Sequence, residues 1–167
     1  MAGLLGAAGI LGANLLSSPV QALAAPNGTG VGSNYCGPAE LNSAGLSATI
    51  AGIGSDLVSS NSFALSASDL PNFKLGYFLL STTTGFVPMA GGSMGNLCLG
   101  GQITRLNGSV LNSGFSGSFA LALDLGQMPD PAGQILPGET WHFQAWYRDL
   151  VQVNTSNFTD GLTVHFQ

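Results

Sequence analysis

The sequence predicts an all-β protein folded as two packed antiparallel sheets. Three observations lead there. From Ala25 onward, short apolar segments alternate with turns rich in Gly, Asn, Ser, Asp and Pro. Several of those segments alternate apolar and polar residues with period two, and none sustains the 3.6-residue period of a helix. The 25 glycines among 167 residues follow no three-residue repeat, which excludes collagen. The expected architecture is a two-sheet antiparallel β-sandwich, immunoglobulin-like or jelly-roll-like, with roughly seven to nine strands and little helix.

Residues 1–25, MAGLLGAAGILGANLLSSPVQALAA, contain no charged side chain. An apolar run followed by Ser17-Ser18-Pro19 and then by Ala22-Leu23-Ala24 reads as a secretory signal peptide. Neither Lys nor Arg follows Met1, so only the α-amino group supplies the positive start of such a signal. A buried helix is disfavoured, because the glycines at positions 3, 6, 9 and 12 each weaken it by about 1 kcal/mol. The run to Leu16 is also short and glycine-rich for a membrane span. Residues 26–45 then form an irregular lead-in that carries Cys36, and residues 46–167 read as one sandwich domain.

Within that domain, Leu46 to Ile53 is the first expected strand, and residues 62–68 are the second, with Phe63, Leu65 and Ala67 on one face. Phe73 to Ser81 is the third. Both of its faces are partly apolar, which suits a central strand. Residues 82–96 hold too many glycines for a helix and read as an irregular crossing. Leu97 to Leu106 is a fourth strand with a bulge at Gly100-Gly101, and Asn107-Gly108 signals a hairpin turn into a short strand at Val110 to Asn112. Phe115 to Leu125 alternates, with Phe115, Phe119, Leu121, Leu123 and Leu125 sharing a face. After a proline- and glycine-rich loop at 126–140, Thr140 to Arg148 turns Trp141, Phe143, Ala145 and Tyr147 to one side. A polar segment at 149–160 precedes the last strand, where Leu162, Val164 and Phe166 point inward.

Charge sets limits on function. Only 7% of the residues are charged, three basic and eight acidic, for a net charge of −5. Three basic residues cannot build a phosphate-tracking stripe, so no nucleic-acid partner is expected. No transmembrane span is expected in the mature chain. Cys36 and Cys98 are the only cysteines, and in an exported domain such a pair bridges; closing that loop restricts the unfolded chain by about 4 kcal/mol on the entropy model. Two free thiols are the alternative, and a metal site is poorer, since neither cysteine has a CxxC partner and His142 and His165 stand alone. Asn27, Asn107, Asn154 and Asn157 each begin an Asn-x-Ser/Thr triplet, which a chain of this composition also meets by chance.

Candidate chemistry is sparse. Asp124, Asp130, Glu139 and Asp149 border loops, where two of them could form a hydrolase pair or simply keep a glycine-rich surface solvated. No cofactor is expected. A structural calcium is a weak candidate at Asn157 and Asp160, with Asn154 and Thr159 nearby; the alternative is an Asx-rich turn capping its own backbone. The outward side of the 140–148 strand offers His142, Gln144, Trp146 and Arg148 as a ligand face, a flat ring flanked by hydrogen-bonding groups. The competing account packs Trp146 under the 126–140 loop and pairs Arg148 with Asp149.

Three blocks carry a resemblance. Cys36 with Asn42-Ser43-x-Gly45, the run Leu97-Cys98-Leu99-Gly100-Gly101-x-Ile103-x-Arg105-Leu106, and Pro137-Gly138-x-Thr140-Trp141-x-Phe143-Gln144-Ala145-Trp146-Tyr147-Arg148-Asp149 resemble an uncharacterised secreted all-β module. That module recurs in exported proteins of planctomycetes and myxobacteria, and Asn157-Phe158-Thr159-Asp160-Gly161-Leu162 is similar to its usual ending. The resemblance spans residues 36–166 and implies export, a disulfide and a β fold; it brings no catalytic residue. The leading expectation is a secreted or cell-surface, non-enzymatic structural, adhesion or accessory domain. A carbohydrate-binding module using Trp146 comes second, and a glycoside or ester hydrolase third. Its expected partners are an extracellular polysaccharide, a surface protein or another copy of itself.

Overall fold

The computed structural model describes residues 30–151 and 153–167, so the signal read at 1–25 and the Asn27 triplet lie outside it. In chain order the strands are β1 (Ser33–Tyr35), β2 (Thr49–Gly54), β3 (Phe63–Ser68) and β4 (Leu75–Ser81). There follow β5 (Thr83–Val87), β6 (Leu97–Gly100), β7 (Thr104–Arg105) and β8 (Leu111–Asn112). The last three are β9 (Phe119–Leu123), β10 (Thr140–Val151) and β11 (Val153–His165). All pairings are antiparallel: β1-β11-β10-β4-β7 with β8 also on β4, β2-β3-β9, and the hairpin β5-β6. The fold is an all-β sandwich.

Its core is the space between the six-stranded and three-stranded sheets. Phe63, Leu65 and Ala67 from β3 meet Phe143, Ala145 and Tyr147 from β10 and Leu162, Val164 and Phe166 from the chain end. Phe63 packs edge-on against Phe166, with ring centroids 5.2 Å apart, and Phe78 does the same with Phe119 at 5.3 Å. Period-two alternation located the inward faces of β3, β9, the first half of β10 and the end of β11, because one side of each must be apolar to meet the facing sheet. On β4 both faces read as partly apolar, and it is Phe78 and Leu80 that enter this core. Met128 and Ile135 plug the core from the 126–139 loop.

Several elements differ from the sequence expectation, and the strands exceed the expected seven to nine. The lead-in supplies β1, which pairs with β11 through Ser33↔Thr163 and Tyr35↔Gly161. The segment read as an irregular crossing contains β5, paired with β6 and lying over the outer face of the larger sheet. Glycines hid it, yet Gly85 and Gly100 are where the two backbones approach too closely for a Cβ. The expected 97–106 strand breaks in two at Gly101, which takes φ +59°. Asn107-Gly108 makes a turn but not a hairpin: β7 and β8 both pair with β4, and neither Asn107 nor Gly108 takes a positive φ. Phe115 falls outside β9, exposed and edge-on to Phe73 at 4.4 Å.

The largest difference lies at 149–160. Residues 149–151 and 153–160 of this polar segment are strand, extending the paired β10 and β11. The pairing runs Gln144↔Gly161 and then Trp146↔Phe158, so Thr159 and Asp160 together oppose Ala145. This β-bulge shifts the phase of the alternation. Phe158 faces outward beside Trp146, while Leu162 faces inward beside Phe143. Thr159 Oγ1 accepts the Ala145 N–H at 3.0 Å and donates to the Asp160 carbonyl, replacing the interrupted ladder.

Cys36 and Cys98 form a disulfide across 62 positions, with Cα atoms 6.4 Å apart, tying the lead-in to β6. Among the described residues, no helix is long and apolar enough to cross a membrane.

Candidate functional site: the outer face beside Trp146

The outer face of β4, β10 and β11 carries a small second apolar cluster. Leu79, Leu99 and Phe158 are buried there, with Tyr77, Leu97, Ile103 and Trp146 partly buried around them. The β5–β6 hairpin roofs only part of this cluster. What remains open is a groove of about 340 Å³ lined by Tyr77, Leu79, Arg105, Trp146 and Phe158, with Ala90 and Gly91 from the hairpin turn at its rim. Strand register builds its floor: Trp146 lies opposite both Tyr77 and Phe158. Trp146 and Tyr77 pack with centroids 4.9 Å apart and planes tilted by 32°. The Arg148 guanidinium sits 6.0 Å from the Trp146 ring centroid, within cation–π range.

The four side chains expected as a ligand face thus part company. Trp146 and Arg148 remain accessible. Gln144 is completely buried and serves the fold: its Oε1 accepts the Cys98 N–H at 2.9 Å, and its Nε2 donates to the carbonyls of Asn96 and Thr159. His142 lies farther along the strand, bonded to Thr163 Oγ1 and edge-on to Tyr35 at 5.7 Å; burial lowers its pKa. Trp146 belongs to the outer cluster, against Tyr77, and not with Met128 and Ile135 of the 126–140 loop, which enter the core between the sheets. Asp149 points away from Arg148, accepting the N–H groups of Ser43 and Leu150.

Sequence reasoning missed Tyr77, Arg105 and Phe158 as members of the site. Tyr77 and Phe158 looked like ordinary apolar positions, and only cross-strand register brings them beside Trp146. The Asx-rich cluster is strand, not a loop. Asn157 is fully buried and donates to the carbonyls of Glu40 and Leu41, so its Asn-x-Thr triplet is inaccessible, while Asn107 is exposed. Asp160 accepts the Ile50 N–H at 2.8 Å and a hydrogen from Asn34 Nδ2 at 3.0 Å. Both calcium candidates therefore join the lead-in and β2 to β11.

Asp124, Glu139 and Asp149, three of the four loop carboxylates, are also engaged separately. Asp124 accepts from Asn61 and the Gly126 N–H, and Glu139 accepts from the Leu136 N–H and the Trp141 indole. Among the described residues, no group of three or more His, Cys, Asp and Glu side chains is placed to hold a metal ion. Tyr147 is buried with its hydroxyl outside ordinary hydrogen-bond geometry; burial, aided by the Asp149 charge, raises its pKa, and the adjacent Asn42 amide opposes this. Comparison with family models, with curated proteins and with solved structures gives no match.

Proposed function

We propose that this chain is an exported or cell-surface, non-enzymatic adhesion or accessory domain that contacts a saccharide through the groove beside Trp146. The observation that carries this reading is the state of Trp146: half-buried and held by Tyr77, it keeps one side on an open groove. A rigid aromatic ring with flanking hydrogen-bonding groups matches the alternating apolar and hydroxyl faces of a sugar. Export is supported by the disulfide, which belongs to oxidising compartments, by the apolar leader pattern and by the resemblance to a secreted module. Catalysis lacks a comparable supporting feature: Asp124, Glu139 and Asp149 are each engaged with separate backbone and side-chain donors and not with one another.

The test is a glycan and polysaccharide binding screen of the disulfide-bonded protein, with Trp146→Ala as control. Binding to at least one polymer, weakened at least about tenfold in Trp146→Ala, is the expected result. Binding that is indifferent to Trp146, or none to any polymer, overturns it.

A further inference from the structure

The acidic residues of this acidic protein avoid one part of the chain. Its carboxylates are Glu40, Asp56, Asp69, Asp124, Asp130, Glu139, Asp149 and Asp160. Residues 70–123 therefore contain none, while holding Lys74 and Arg105, two of the three basic residues. That block forms β4 through β9 and the whole β5–β6 hairpin, which supply most of the groove. The third basic residue, Arg148, stands over Trp146 from β10. Within a molecule of net charge −5, the Trp146 groove is locally cationic.

The surroundings keep it so. Asp149 follows Arg148 in sequence but alternates to the opposite face, and Asp160 is buried between β2 and β11. Glu40, at the hairpin edge, accepts a hydrogen from Asn96 at 3.4 Å. Among the described residues, no carboxylate pairs with Arg105 or Arg148, and both are exposed.

We propose that the groove binds an acidic polysaccharide, whose carboxylates or sulfate esters are held by Arg105 and Arg148 while its sugar rings pack on Trp146 and Tyr77. This rests on the reading of the groove as a saccharide site. Guanidinium groups suit such anions because their planar forks donate two parallel hydrogen bonds. Arg105 is registered with Leu79, which is registered with Gln144; Arg148 lies four residues farther along β10, roughly 13 Å in strand rise. Two cations so far apart, with an aromatic row between them, fit a charged chain better than a single anion.

The experiment compares binding of polygalacturonate, dextran sulfate and neutral dextran to the disulfide-bonded wild type, to Arg105→Gln/Arg148→Gln and to Trp146→Ala. Thermal melts confirm that each variant folds, and both arginines are exposed, so their replacement leaves the core intact. The expected result is at least about tenfold tighter binding of one acidic polymer than of dextran, lost in the double arginine variant and weakened as salt rises from about 50 to about 300 mM. The two acidic arms tell carboxylate from sulfate. Equal affinity for acidic and neutral polymers, or a double variant that binds like wild type, overturns the proposal. If dextran alone binds and only Trp146→Ala abolishes it, the saccharide reading survives and acid selection fails. If nothing binds, both fail.

Discussion

Asp160 shows how one polar side chain joins two sheets. Its carboxylate, on β11, takes the Ile50 N–H of β2 and the Asn34 amide of β1, while Asn34 also donates to the Ile50 carbonyl. Burial raises its pKa above the ordinary carboxyl value, against the pull of those hydrogen bonds toward the ionised form. An acid with a raised folded pKa binds its proton more tightly when folded. Its contribution to stability is therefore largest below the unfolded value, about 3.9, and is lost as pH climbs through the raised folded value. Denaturant titrations of wild type and Asp160→Asn at about pH 3 and about pH 7 read this directly. Wild type is expected to lose stability relative to the variant across that interval; an unchanged difference contradicts the assignment. Nothing in the sequence announced this role. Asp160 sat in a run of Asn, Ser and Thr that looked like a turn, and its partners are 110 and 126 positions away.

At the scale of elements, strands whose faces differ were legible and strands marked by local exceptions were not. β3 and the first half of β10 alternate cleanly, and their inward residues are buried as the period requires. The end of β11 was read correctly, with Leu162 and Val164 buried, but its first half escaped the same reasoning because the bulge changes which residues face the core halfway along. β5 was hidden because its pairing with β6 uses glycine for close approach instead of bulky side chains for packing. Likewise, Trp146 was visible as a candidate, but its neighbours Tyr77 and Phe158 depended on register. Gly161 is the tightest point of the bulged hairpin: a Cβ there would run into the Tyr35 ring, which lies over it while the Tyr35 hydroxyl donates to the Cys98 carbonyl. Gly161→Ala is expected to cost about 1–3 kcal/mol by forcing the ring away. Equilibrium unfolding checks this, and Tyr35→Ala should suppress most of the penalty in a double-mutant cycle.

For the whole molecule, the disulfide matters more than its two residues suggest. The chain between Cys36 and Cys98 contains β2 and β3 of one sheet and β4 of the other. Replacing both cysteines with serine releases that loop in the unfolded state, and a loss of about 2–5 kcal/mol is expected in denaturant unfolding. A loss well under 1 kcal/mol would mean that the sandwich closes this loop unaided. The all-β class and the pairing of the cysteines were readable from hydrophobic patterning and from the presence of just two cysteines in a chain expected to be exported, whereas the strand order was not. Sheet order depends on contacts between distant segments, such as β1 with β11, which no local pattern encodes.

The same bridge changes what a protease can do to this protein. A single backbone cut anywhere inside the Cys36–Cys98 ring leaves both pieces covalently joined, still holding strands of both sheets against the uncut β10–β11 hairpin. The nick shows only after reduction. A domain with that ring can be cut in any connection between Cys36 and Cys98 and remain one molecule, whereas a cut in the 124–139 loop, outside the ring, has no such bridge.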